Sequence, residues 1–455
     1  MKKRIFSLIF SILLLFSCAV PGFAALYTPE TQEADVIYMV SLDNGAVICN
    51  INSEKQVAPA SMTKIVTAIL TIENCTNFDQ VVTVPEYCIR LLDGTNSSTA
   101  GIIPGEELTV RQLLYCLMVQ SANDAANILA DFIGGGDIDT FIEMMNAFAA
   151  ERGCTGTHFA NAHGLDNDKH YTTAQDLVKM YTYCLQNSLF AEIAGTFTTE
   201  IPPTNKYDYT RYLRNTNSLL NPGIPDYYCE YVKTGKTGTT DAAGHCVISS
   251  ASSDGYNYLC IVMNAKFYDV DEDGVDENMA FVESKKLYEW AFRNLRIQEV
   301  ANPSTYVGEV AVRLSKEYDY VSLAPETSIT ALVPVGVNAE NVLYVPYEDL
   351  TKIVLDAPVC KGDVVCRAAI TYAGETIDEV NLVAMFDVKR STVKYIGDLL
   401  LRTVKSWPFL VLLGVIFFVV LPGFIILFVA APAKRRKKKN TVRMVSVKDM
   451  DKKKK

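Results

Sequence analysis

Three short strings hold residue types that can do covalent chemistry together: Ser61-Met62-Thr63-Lys64, Ser121-Ala122-Asn123 and Lys236-Thr237-Gly238. Ser61 and Lys64 are three residues apart, so at a helix start they share one face, a turn apart. That spacing sets an amine beside a hydroxyl, near backbone amides and a dipole that favour developing negative charge. A serine hydroxyl is a weak nucleophile at neutral pH and needs a base. Lys64 can serve only with a lowered pKa, which burial and a second cation both bring about. Lys236 is the candidate second cation. Ser121 and Asn123 lie in a polar turn between apolar helical stretches and can deliver a hydroxyl and an amide into a cleft. Lys236 and Thr237 suit gripping a terminal carboxylate from an edge strand, and Gly238, with no Cβ, lets an extended chain lie against that strand.

Each string also has a plainer reading. Ser-x-x-Lys arises by chance, and the chain repeats it at Ser391-Thr392-Val393-Lys394 with no partner strings after it. Ser121 and Asn123 taken alone would serve as helix caps. Lys-Thr-Gly occurs in tandem, at 233–235 and 236–238; the second copy is preferred for the Thr239-Thr240-Asp241-Ala242-Ala243-Gly244 behind it. The fixed order of the three strings, and Ala58-Pro59-Ala60 setting a helix start at Ser61, favour the catalytic reading.

The elements that must position these groups follow from hydrophobic periodicity. Residues 36–41 and 46–50 read as strands around Asp43-Asn44-Gly45. Helices are expected from Pro59 to about Glu73, after Thr109, within 139–152, after Thr173 and over 279–294, with strands at 246–250 and 258–263. Strands, helices and strands again predict an α/β (α+β) domain in which helices flank an antiparallel sheet. From about Ser304 to Arg390 short alternating runs (307–314, 328–333, 364–372 and 377–383) predict a separate small all-β domain.

The 455 residues leave room for two or three domains. Lys2-Lys3-Arg4, an apolar run and Gly22-Phe23-Ala24 read as a signal peptide over 1–24. No charged residue occurs from Trp407 to Ala430, a span of roughly 36 Å as a helix, which predicts a transmembrane segment. Lys434 and the basic residues after it place the carboxyl end in the cytoplasm. The expected order is therefore signal peptide 1–24, catalytic domain 25–300, β-rich domain 301–392, juxtamembrane helix 393–406, membrane helix 407–430 and basic tail 431–455, with the catalytic domain extracytoplasmic. The net charge of −10, concentrated in the body between basic ends, argues against nucleic-acid binding.

Twelve cysteines, one in the leader, show no metal spacing. Cys360 and Cys366 could pair across a hairpin, and the others read as small buried apolar residues. Asp269, Asp271, Asp273 and Gly274 start a calcium-loop pattern, but its twelfth position is Ala280, so an acidic hairpin tip is the reading. His163 and His170 are too few for a metal site, and His163 is expected to buttress the cleft floor.

Over 58–64, 121–126, 159–165, 171–174, 215–220 and 236–244 the chain resembles the serine-type D-Ala-D-Ala carboxypeptidases, the low-molecular-weight penicillin-binding proteins. The resemblance spans about 36–297 and extends more loosely through a β domain. It implies a β-lactamase/transpeptidase-like fold, with Ser61 as nucleophile, Lys64 as base, Ser121 as proton shuttle and Asn123 as a supporting contact. Lys236 and Thr237 would bind the carboxylate beside Gly238, and the amides of Ser61 and Thr239 would hold the oxyanion. The implied partners are a peptidoglycan stem pentapeptide ending in D-Ala-D-Ala, β-lactams as inhibitors and the cytoplasmic membrane, with no cofactor. Two departures stand out: Thr216 replaces an arginine found in some relatives, with Arg214 nearby, and the anchor spans the membrane where many relatives use an amphipathic helix. Two other functions share these features. A β-lactamase would need a glutamate for deacylation, faintly echoed by Glu143-Met144-Met145-Asn146; a non-catalytic receptor of β-lactams or wall fragments would signal across the membrane.

Overall fold

The computed structural model describes residues 26–27, 33–269, 274–372 and 374–436. The expected signal peptide, Asp271 and Asp273 of the acidic tip, and all but the first few residues of the basic tail lie outside the described residues. The chain falls into two compact units. Of the described residues, one holds those up to Ala301 with Ile329–Leu343 and Ile370–Asp378; the other holds Asn302–Ser328, Tyr344–Ala369 and those from Glu379 on.

The first unit is built on a five-stranded antiparallel sheet of β1 (Ala34–Ser41), β2 (Val47–Ile51), β3 (Val232–Thr240), β4 (Gly244–Ser253) and β5 (Tyr256–Ala265), in the order β2-β1-β5-β4-β3. Side chains alternate across a strand, so a strand covered on both faces is apolar throughout. In β1, Val36 and Val40 join the core beneath one set of helices, while Ile37 and Met39 join the core on the opposite face. Ile248 and Ile261 repeat the first pattern, Val247 and Cys260 the second.

The first core is covered by α1 (Lys64–Asn74), α2 (Val110–Met118), α3 (Asn123–Ile133), α4 (Ile138–Glu151), α5 (Ala174–Leu185) and α6 (Ser188–Gly195). The second is covered by α7 (Met279–Asn294), whose Leu287, Tyr288 and Ala291 are buried and whose Tyr288 hydroxyl accepts from Cys260 N–H at 3.1 Å. Local signals set the helix starts. Thr109 and Gln112 form a reciprocal capping box on α2, Thr173 caps α5 and Asn278 caps α7, each worth about 1 kcal/mol. Leu295–Ala301, after α7, pairs antiparallel with Ile329–Pro334, so the run at 328–333 groups with the first unit.

A six-stranded sheet, most of whose residues belong to the second unit, has the order Leu343–Pro346, Val364–Tyr372, Glu375–Ala384, Tyr320–Pro325, Gly308–Arg313 and Val354–Asp356; the last strand runs parallel to its neighbour. The helix Thr392–Lys405 follows, capped by Ser391. Next comes a 22-residue helix, Trp407–Phe428, with a mean hydropathy of 3.1 and none of it buried, long and apolar enough to cross a membrane. The Cys360–Cys366 pairing that the sequence left open is not formed: Cys360 is exposed and Cys366 lies buried within a strand, both as free thiols.

Candidate active site

Ser61 stands on a strained turn. A single 3₁₀ turn, Ala60–Thr63, leads into α1, and Ala60 has a φ of +46° although it is not glycine, a conformation costing about 1 kcal/mol or more. Two glycines are pressed onto that turn. A Cβ on Gly164, itself at φ +95°, would fall 1.9 Å from the Ala60 carbonyl oxygen. A Cβ on Gly238 would fall 2.9 Å from Ala60 Cβ and 3.0 Å from the Ser61 nitrogen. Strand β3 therefore runs directly against the Ser61 backbone, and its outer edge carries no strand among the described residues.

Lys64 opens α1 with a wholly buried side chain. Its Nζ donates to Asn123 Oδ1 and to the His163 carbonyl, both at 2.6 Å, and lies 2.8 Å from Ser61 Oγ. Burial, reinforced by the charge of Lys236, holds the Lys64 amine well below the usual lysine range, with Asp124 opposing. Lys236, 1% exposed, donates to Ser121 Oγ at 2.7 Å and to the Thr237 carbonyl at 2.8 Å. Burial lowers its pKa to about 7. Neither lysine is ion-paired among the described residues.

Ser121, at φ +59°, and Asn123 are both nearly buried. Neither caps α3, whose N-cap is Ala122 without a side-chain bond; both side chains turn to the lysines instead. Asp124, which the sequence reading passed over, holds the neighbouring loop, accepting from the N–H groups of Ala100 and Ile102. Thr216 and Thr237 share a hydroxyl–hydroxyl hydrogen bond. Arg214 is turned away, stacked over Phe197 at 5.3 Å. Thr239 lies on the same strand in register with His245, with its side chain exposed.

The competing copies separate cleanly. Lys233 is exposed and donates to the Glu230 carbonyl, whereas Lys236 is buried at the site. Ser391 accepts from Lys394 N–H as a helix cap. Glu143 is exposed on α4, and Asn146 is occupied by the backbone of Phe159. His163 reaches the site through its carbonyl, and burial lowers its ring pKa to about 3. Thr63 and Gly164 were not singled out by chemistry, and His170 was weighed only as a metal ligand; the remaining sequence signal for all three was membership of, or adjacency to, the segments that carry the resemblance.

Comparison with known proteins gives the chain a family. Residues 24–267 match the D-alanyl-D-alanine carboxypeptidase family, and 298–390 match the C-terminal domain of penicillin-binding protein 5. The D-alanyl-D-alanine carboxypeptidase DacF of Bacillus subtilis is 28% identical over 90% of this chain and 99% of its own. DacC of Escherichia coli is 28% identical over 82% of this chain and 90% of its own. The solved structure of penicillin binding protein 5 from Haemophilus influenzae shares the fold, with a TM-score of 0.55 at 24% identity over 80% of this chain and all of that one. With a buried lysine against a half-buried serine at its centre and the family match running over more than half its length, this chain belongs to the D-alanyl-D-alanine carboxypeptidases.

Proposed function

We propose that the chain removes the terminal D-alanine from peptidoglycan stem pentapeptides through an acyl-enzyme on Ser61. One observation carries this reading: the partners of Lys64 Nζ. Two of them, Asn123 Oδ1 and the His163 carbonyl, can only accept. A neutral amine has two hydrogens, and those two acceptors use both. The lone pair is left facing Ser61 Oγ at 2.8 Å, where it can take the hydroxyl proton. Desolvation supports the neutral form.

As Lys64 takes the proton, Ser61 Oγ bonds to the penultimate carbonyl carbon, and the carbonyl electrons move onto oxygen. The N–H groups of Ser61 and Thr239 hold that oxyanion. Collapse breaks the peptide bond, and the departing amine takes, relayed through Ser121, the proton that Lys64 removed from Ser61, which leaves Lys64 neutral again; Lys236 holds Ser121 Oγ in place. Water then adds to the ester with Lys64 again as base, releasing the shortened peptide. Lys236, Thr237 and Thr216 hold the terminal carboxylate, and the open edge of β3 aligns the peptide past Gly238. A β-lactam presents an amide and a carboxylate in the same relation, so it acylates Ser61. The apolar helix anchors the protein, with the catalytic unit outside the membrane and the basic tail inside. No cofactor takes part.

The test is the detergent-solubilised full-length protein with a diacyl-Lys-D-Ala-D-Ala peptide, scored for free D-alanine and for a penicilloyl adduct. The wild type should give both and Ser61→Ala neither. D-alanine release or adduct formation by Ser61→Ala would overturn the proposal.

A further inference from the structure

One buried titratable side chain beside the nucleophile has no part in this mechanism. His170 is 3% exposed, on the loop before α5, and a short hydrogen-bonded chain joins it to the turn that carries Ser61. Ala160 N–H donates to His170 Nδ1 at 2.9 Å. Nδ1 is therefore an acceptor, and the neutral ring carries its hydrogen on Nε2. Nε2 lies 2.7 Å from Thr63 Oγ1, so the ring donates to the hydroxyl. The hydroxyl keeps its own hydrogen for the Ala60 carbonyl, 2.8 Å away. The donors run in one direction, from Ala160 through His170 and Thr63 to Ala60, and each bond polarises the next.

The end point matters because the Ala60 carbonyl and the Ser61 N–H are the two ends of one planar trans peptide. Fixing the oxygen fixes the direction of the N–H at the other end, and withdrawing charge from the oxygen makes that N–H a stronger donor. Ala60 at φ +46° lies outside the broad backbone minima, so this peptide needs outside support to keep its orientation. Gly164 packs against the same oxygen and leaves it no room to swing.

We infer that His170 is a positioning residue which, through Thr63, sets the Ala60–Ser61 peptide plane so that Ser61 N–H points at the developing oxyanion; the inference rests on the acyl-enzyme reading above. Only the neutral ring fits, because a proton on Nδ1 would confront Ala160 N–H. The charged and titratable groups around the ring are Lys64, His158, His163 and Asp166. Burial leads, Lys64 and His158 help to lower the ring's pKa to about 4, and Asp166 opposes them. The ring is neutral wherever the enzyme works at ordinary pH.

The test uses full-length Thr63→Val, Thr63→Ser, His170→Gln and Ser61→Ala proteins. It measures D-alanine release, affinity for a peptide boronic acid that mimics the tetrahedral adduct, affinity for the product peptide, and melting temperature. Thr63→Val should lower kcat about 30-fold with KM within about two-fold, because the lost direction acts on the transition state alone. Boronate affinity should fall in parallel while product affinity holds. Thr63→Ser, which keeps the hydroxyl, should restore both, and His170→Gln, which keeps an N–H for Thr63, should retain more activity than Thr63→Val. Equal losses in Thr63→Val and Thr63→Ser, or an unchanged kcat in Thr63→Val, would overturn the inference while leaving the acyl-enzyme intact. Activity in Ser61→Ala would instead remove the reading beneath it.

Discussion

The chain writes Ser-x-x-Lys twice, and the two copies fold into opposite environments. At 61–64 the lysine is completely buried, its amine bonded to residues 59 and 99 positions further along the chain. At 391–394 the lysine is exposed and the serine half-buried, and the serine hydroxyl accepts from Lys394 N–H at 3.3 Å. Spacing puts a hydroxyl and an amine on one helix face in both cases. Reactivity requires what spacing does not supply: removal of water, which makes the charged ammonium costly, and acceptors brought from distant segments to orient the neutral amine. The first copy has both, from α3, the 160s loop and β3.

Replacing the two lysines in turn gives the largest contrast. Lys64→Met should lower the rate of penicillin acylation by about 10⁴-fold or more, the loss expected when a nucleophile loses its base. Lys394→Met should leave acylation unchanged, and a matched loss in both proteins would end the distinction between the copies. Next in size is the crowding around Ser61. Gly164→Ala would set a methyl 1.9 Å from the Ala60 oxygen at a positive φ, so it should cost about 3 kcal/mol of stability or fail to fold. Gly238→Ala is milder, because its contacts begin at 2.9 Å. It should fold, and lower acylation by about 10- to 100-fold as Ser61 is displaced by a few tenths of an ångström. A Gly238→Ala protein acylated at the wild-type rate would show that β3 does not constrain the nucleophile.

Much of this arrangement was legible before any coordinates. Strands at 36–41 and 258–263 and the helix at 279–294 announce themselves because two-sided burial and strong caps leave little choice of period. Ser61, Lys64, Ser121 and Lys236 were readable because covalent chemistry restricts residue types and order. Three features were not readable. The role of Asp124 depends on which loop lies over it, and its partners Ala100 and Ile102 use only backbone N–H, which every residue has. Gly164 looks like any other glycine until the Ala60 carbonyl is seen against it. The run at 328–333 reads as one more strand of a β domain, yet it pairs with 295–301; register between distant strands is set by tertiary packing, which no local pattern encodes.

The buried Lys236 cation should also lower stability, with a definite sign. The Lys236 pKa falls from the ordinary 10.5 to about 7, so between those values the unfolded chain binds the proton more strongly than the fold does. The penalty is complete at and below about pH 7 and fades as pH rises towards 10.5. At about 1.4 kcal/mol per unit the full penalty is about 5 kcal/mol, and an unpaired Ser121 hydroxyl would offset about 1–3 kcal/mol of the gain from removing it. Lys236→Met should therefore melt about 5 °C above the wild type at pH 6, with the gap narrowing by pH 10, while D-alanine release is lost. A lower melting temperature at pH 6 would mean that Lys236 is paid for elsewhere in the fold.

The smallest effect belongs to the second copy and completes the contrast. Ser391→Ala removes the hydroxyl that caps Thr392–Lys405, a change worth about 1 kcal/mol. This helix buries none of its residues, so the loss has little packing to spread through and should stay local. Amide exchange over residues 392–395 should quicken by about five-fold in the full-length protein, the factor that about 1 kcal/mol represents, while acylation by penicillin and D-alanine release keep their wild-type rates. The equivalent deletion at Ser61 should abolish acylation and leave exchange in the first turn of α1 nearly unchanged, because no side chain caps that helix. One substitution in one sequence pattern would then report a capping energy in one place and the loss of a covalent bond in the other. If Ser391→Ala changed the acylation rate instead, burial and convergence would no longer explain why one copy reacts and the other does not.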